Sequence, residues 1–124
     1  MSLDQLREKN LTFFRLGSLS CALAVLLGAF GAHSLKTILT PERLQTFETA
    51  VRYQLFASLG IQLASLAQPR RPYPMQLLFA GTLLFSGSLY LLVATDILWL
   101  GAITPLGGLC MIAAWILLAK EVGR

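Results

Sequence analysis

Four long apolar runs, separated by short polar or proline-bearing segments, set the pattern of this chain. They cover residues 13–32, 50–67, 73–94 and 97–119, and only Arg15 interrupts the first. About 20 residues at a helical rise of about 1.5 Å span a hydrocarbon core of roughly 30 Å. The runs are continuous and lack the period-2 alternation of a barrel strand. In lipid, each segment must pair its own backbone polar groups, so the runs predict helices. The expected fold is an all-α membrane protein, a single domain over residues 1–124. It has four transmembrane helices and a short interfacial helix between the first and second spans.

Local signals place the ends of these elements. Ser2 and Gln5 have capping-box spacing, and Leu3 and Leu6 share a face. The first ten residues therefore read as an amphipathic lead along the membrane surface. Residues 33–49 form the one long polar stretch. Within it, Thr40-Pro41 reads as an N-cap with proline in the first turn, followed by Glu42 at the positive end of the helix dipole. A helix is expected from Pro41 that runs along the interface and either turns into the second span or continues as it. Gln68-Pro69-Arg70-Arg71-Pro72 is a solvated loop. Asp96 is expected as N-cap of the fourth span, with Pro105 kinking that span and freeing the carbonyl of Gly101. Lys120, Glu121 and Arg124 form its exposed end. A secretory signal is a rival reading of the first run, but residues 16–32 exceed the usual apolar core of roughly 7–15 residues, and Met1 is present.

Composition sharpens this picture. The chain is 56% hydrophobic and 13% charged, about half the charge of an ordinary soluble domain at about 25%. Its net charge of +4 is no nucleic-acid footprint, because the basic residues flank the apolar runs instead of forming one patch. With four spans, one side carries Arg7, Lys9, Arg15, Arg70, Arg71, Lys120 and Arg124, and the other carries Lys36, Arg43 and Arg52. This bias of seven to three places both termini in the cytoplasm.

Leucine-rich helices gain little by leaving lipid for one another, so small residues must let them approach. The first span offers Gly17, Cys21, Ala24, Gly28 and Ala32 at steps of three and four, with Gly31 beside them. The third offers Gly81, Ser88 and Thr95, and the fourth Gly101, Gly107, Gly108 and Ala114. In the second span, Gln54, Ser58, Gln62 and Ser65 form a polar stripe beside the stripe of Tyr53, Ala57, Gly60 and Ala64. Two readings of the polar stripe stand: interhelical hydrogen bonds, or the wall of a polar path or ligand cleft. Glu48 and Arg52, one turn apart, are expected to pair at the mouth of this span, as an interfacial anchor or as an anion or headgroup contact.

Candidate chemistry is sparse. His33, the single histidine, closes the first span, either as a cap for the helix C-terminus or as a group titrating near neutral pH. Without neighbouring Cys, Asp or Glu it makes no metal site. Cys21 and Cys110 lie inside apolar runs and read as small packing residues. No catalytic triad order, intramembrane carboxylate pair, phosphate loop or haem ligand pair is present, so no cofactor, metal or catalytic residue is expected.

Three groups of residues occur in order: Gly28-Ala29-Phe30-Gly31-Ala32-His33; Phe47-Glu48-Thr49-Ala50-Val51-Arg52-Tyr53-Gln54; and Gly81-Thr82-Leu83-Leu84-Phe85-Ser86-Gly87-Ser88-Leu89-Tyr90 with Gly101-Ala102-Ile103-Thr104-Pro105-Leu106-Gly107-Gly108. Together they resemble the family called domain of unknown function 423, which includes bacterial inner-membrane proteins and animal transmembrane protein 256. The resemblance covers nearly the whole chain and implies a four-span membrane protein without an established activity. That family usually has a histidine a few residues after the Tyr-Gln pair, where this chain has Ala57. A two-histidine proton or metal site therefore lacks its second member, and His33 reads as structural.

Three functional expectations follow. The first is a non-enzymatic helix-packing protein of the bacterial inner membrane, acting as a homo-oligomer or an accessory subunit. The second is a small transporter or channel built on Gln54, Ser58 and Gln62 and the bend at Pro105. The third is lipid-headgroup binding at the outer interface by Arg43 and Arg52. The bilayer is the common partner, and nucleic acid is not one.

Overall fold

A computed structural model describes residues 2–122; Arg124, counted above among the basic flanks, lies outside them. The described residues form four α-helices and no strands: α1 (Leu3–His33), α2 (Pro41–Ala67), α3 (Tyr73–Thr95) and α4 (Thr104–Glu121). Short 3-10 turns at Leu35–Thr37 and Leu98–Ala102 precede α2 and α4. Three stretches, Leu3–His33, Tyr73–Thr95 and Leu98–Glu121, are long and apolar enough to cross a membrane.

The amphipathic lead is part of α1. Ser2 caps it with a reciprocal capping box to Gln5, and the helix runs unbroken for 31 residues, about 46 Å at the standard rise. Nothing in the sequence between Asn10 and Phe13 breaks a helix, so the lead does not fold away from the span. The expected separate interfacial helix is likewise absent as an element of its own. Thr40 accepts from the Arg43 backbone N–H, Pro41 occupies the first turn, and α2 continues for 27 residues. A single 3-10 turn is all that lies between α1 and this helix.

Two boundary expectations at the last helix are corrected. Asp96 ends α3 instead of starting α4: its φ is 58°, and its N–H donates to the Leu92 carbonyl. Aspartate tolerates this left-handed conformation better than most residues. Pro105 lies in the first turn of α4, where its missing N–H leaves no helical bond unmade, and so produces no kink. Residues 98–102 keep their apolar character but form the 3-10 turn.

Each helix packs chiefly on its neighbour in sequence, α1 on α2, α2 on α3 and α3 on α4. The result is a zigzag layer with an open groove on either side, one between α1 and α3 and one between α2 and α4. The least apolar helix, α2, is as enclosed as α3, which has eight buried residues. Nine residues of α2 are buried, against three each of α1 and α4. Its Ala57 and Ile61 join Leu78 of α3 and Met111 and Ala114 of α4 in the core, flanked by Phe13, Leu77 and Phe85.

Close approach depends on glycine at two crossings. A Cβ on Gly17 would stand 2.9 Å from the Ser58 carbonyl oxygen, and one on Gly107 would stand 2.4 Å from the Phe85 backbone nitrogen. The second crossing is reciprocal, since a Cβ on Gly81 would meet the Gly107 carbonyl oxygen at 2.9 Å.

Candidate functional site

The polar stripe of α2 meets side chains from α1 and α3. Gln54 is 4% exposed and Ser58 fully buried, because small residues on α1 let the two backbones approach. The Gln54 amide donates from Nε2 to the Ser20 carbonyl at 3.1 Å and to its hydroxyl at 3.3 Å. The Ser58 hydroxyl donates to the same Ser20 oxygen at 2.6 Å. On the far side, the Tyr90 hydroxyl of α3 donates to Gln54 Oε1 at 2.6 Å. One turn below Ser58, Gln62 donates to the Ser18 hydroxyl at 2.7 Å, and its Oε1 is 4.0 Å from the Cys21 sulfur. Ser65 turns back onto the Gln62 carbonyl at 2.7 Å. The Ser86 hydroxyl of α3 adds a bond to the Ala50 carbonyl at 2.7 Å.

This ladder holds three helices in register by hydrogen bonds that lipid does not supply. It leaves few free donors or acceptors. Gln54, Ser86 and Tyr90 reach the floor of the α1–α3 groove, a hollow of 230 Å³ whose walls include Leu23, Phe79 and Leu83. The opposite groove, between α2 and α4, is larger at 680 Å³ and lined by aromatic rings. Tyr53 stacks there 4.6 Å from Phe85 and edge-on to Phe56, while Trp115 lies over Gly60. Adjacent in sequence, Tyr53 and Gln54 thus face different grooves.

The remaining sequence candidates lie apart. His33 is exposed in the last turn of α1. Glu48 and Arg52 are both exposed, and among the described residues no ion pair joins them. Ala57, standing where the resembled family usually has a histidine, is a core residue at 2% exposure. Among the described residues no group of three His, Cys, Asp or Glu side chains is placed to hold a metal. Arg43 donates from Nη2 to the Val93 carbonyl in the last turn of α3, and its buried Nε has no protein partner.

Of the expected packing residues, Gly17, Gly31 and Gly81 are buried at helix contacts. A Cβ on Gly28 would come 3.3 Å from Val51, and the Ser88 hydroxyl lies 2.6 Å from that of Thr104. Thr104 thus bonds α3. Gly107 makes the tight crossing to α3, whereas a Cβ on Gly108 would have only the Phe85 ring at 3.8 Å.

Sequence reasoning missed Ser18, Ser20 and Tyr90 as partners of the stripe. Ser20 had a signal: it follows Gly17 by three residues and precedes Ala24 by four, so it lies on the small face of α1.

Comparison with known proteins bears on this arrangement. A family model described as "Protein of unknown function (DUF423)" matches residues 27–108. The UPF0382 membrane protein YwdK of Bacillus subtilis (strain 168) is 42% identical over 112 residues, covering 86% of this chain and 91% of the relative. A UPF0382 membrane protein of Staphylococcus haemolyticus is 42% identical over 110 residues, covering 86% and 90%. One from Staphylococcus saprophyticus is 40% identical over 110 residues, covering 86% and 92%. No solved structure matches. The matched residues include the α2–α3 half of the ladder and the Gly81–Gly107 crossing, and on this likeness the chain belongs to the DUF423 family of membrane proteins.

Proposed function

We propose that the chain is a four-span, non-enzymatic protein of the bacterial inner membrane that works through helix contacts, as a homo-oligomer or as an accessory subunit of a membrane complex. The observation that carries this reading is the use of the α2 polar stripe. Gln54, Ser58 and Gln62 bond to α1 and α3, which leaves them as glue between helices and not as the lining of a path. The outer faces of α1 and α4 carry large apolar side chains, among them Leu19, Leu26, Leu109 and Ile116, suited to lipid or to further helices.

Support for the fourth crossing comes from α2 itself. It packs along α1 from Gly17–Ser58 to Gly31–Phe47, roughly antiparallel, and its 27 residues reach about 40 Å. A helix enclosed by spanning neighbours shares their depth, and its polar groups find partners there. The excess of basic residues beside the termini and the 68–72 loop supports a cytoplasmic location for both ends.

Mass measurement of the protein in lipid nanodiscs prepared without detergent extraction tests the functional reading. Two or more copies, or a stoichiometric partner, are expected in each particle. A single chain in every particle overturns it.

A further inference from the structure

At the end of the molecule where α1 begins and α2 ends, two hollows meet. The outer one, of 400 Å³, lies between the first turns of α1 and the Gln68–Pro69–Arg70 segment. The inner one, of 290 Å³, continues along α1 toward Leu11 and Phe14, with Leu66 and Ser65 of α2 opposite. Arg7, Asn10 and Gln68 line both, so the hollows form one cleft.

Chemistry changes with depth along this cleft. At its mouth stand Arg7 and Arg70, both exposed, contributed by different segments. No acidic residue lines either hollow, although Asp4 and Glu8 are close to Arg7 in sequence. The amides of Asn10 and Gln68 come next, offering donors for phosphate or ester oxygens. The inner end is apolar except for Ser65. Because α1 is about 46 Å long, well beyond the roughly 30 Å of hydrocarbon, its first turns lie at headgroup level and Leu11 and Phe14 lie deeper.

We propose that this cleft is a binding site for one anionic glycerophospholipid, with its phosphate between Arg7 and Arg70 and an acyl chain along Leu11, Phe14 and Leu66. The sequence of charge, amide and apolar wall matches the order of groups along such a lipid. A free anion would use only the mouth and gain nothing from the inner half. The hollow at the outer end has Arg43 as its one basic lining residue, and that guanidinium is engaged with the Val93 carbonyl.

Native mass spectrometry of the full chain, released from micelles holding equal amounts of phosphatidylglycerol and phosphatidylcholine, tests the site. Retained phosphatidylglycerol is expected to predominate. Near-surface arginines contribute about fivefold each to anionic lipid binding, so the Arg7→Gln/Arg70→Gln pair should lower the preference by about thirtyfold. Arg71→Gln with Lys120→Gln removes equal charge outside the cleft and is expected to preserve the preference. Circular dichroism of each variant checks that the helices remain. Equal retention of the two lipids, an unchanged preference in the cleft variant, or an equal fall in the control pair overturns the proposal. So does displacement of phosphatidylglycerol by millimolar inorganic phosphate, which would mark a plain anion site.

Discussion

Tyr90 of α3 donates its hydroxyl to Gln54 Oε1 at 2.6 Å, and the other end of the same amide bonds to Ser20 of α1. One side chain of α2 therefore ties together two helices that hardly touch each other. Lipid tails compete with leucine contacts but not with these bonds, which gives the amide its value at this depth.

Replacing Gln54 with leucine removes three side-chain bonds and strands the Tyr90 hydroxyl in an apolar groove. At about 0.6 kcal/mol per interhelical bond, the expected loss of stability is about 1–2 kcal/mol. Tyr90→Phe removes one bond and should lose about 0.6 kcal/mol. In the double variant, Tyr90→Phe should have almost no further effect, because its acceptor is already gone. Steric-trap unfolding in bicelles measures all three, and additive losses would mean that the two side chains do not interact.

The crossing of α3 and α4 sets a sharper steric test. A methyl at Gly107 meets backbone atoms of Phe85, whereas one at Gly60 meets side-chain atoms alone, the Trp115 ring and the end of Leu78. Backbone cannot yield without separating the helices, so Gly107→Ala should destabilise by about 1–3 kcal/mol, the usual range for overpacking. Gly60→Ala should fall below that, and Gly87→Ala, which meets nothing within 4 Å, should be neutral or stabilising through helix propensity. Thermal aggregation in detergent ranks the three variants, and equal midpoints for Gly107→Ala and Gly87→Ala would contradict the crossing.

The apolar runs made the helices legible, since any hydrocarbon-length run demands internal backbone pairing. The stripe of Gln54, Ser58 and Gln62 was legible too, because steps of four residues keep one face. Its partners were not, because helix periodicity carries no information about which neighbour that face meets. Hydropathy failed at residues 97–103, where Leu98 and Trp99 prolong an apolar run through a 3-10 turn and displaced the expected start of α4. That offset turned Pro105 from a first-turn residue into an apparent kink. The expected Glu48–Arg52 pair rested on spacing alone, and two exposed long side chains gain little by holding one geometry. The Arg7–Arg70 cleft was hidden for another reason: its walls come from segments about sixty residues apart, brought together only by the antiparallel packing of α1 and α2.

The crossing proposed for α2 decides the topology and is the one to test, because α2 carries Arg43, Glu48 and Arg52 within its first half and is the most polar helix. The depth proposed for it rests on its partners. Gly31 of α1 packs on Phe47 near one end, and Gly17 packs on Gln62 toward the other. Arg52 can reach the interface with its long stem while its backbone lies deeper. In a background with Cys21 and Cys110 replaced by alanine, single cysteines at Lys36, Arg71, Asp96 and Lys120 report the side of each connection. Membrane-impermeant maleimide should label Lys36→Cys and Asp96→Cys in intact spheroplasts, and Arg71→Cys and Lys120→Cys only after lysis. The opposite pattern would keep four spans and reverse the orientation. Labelling of Lys36→Cys and Arg71→Cys from the same side would mean that α2 does not cross, and its hydrogen-bonded stripe would then lie outside the bilayer.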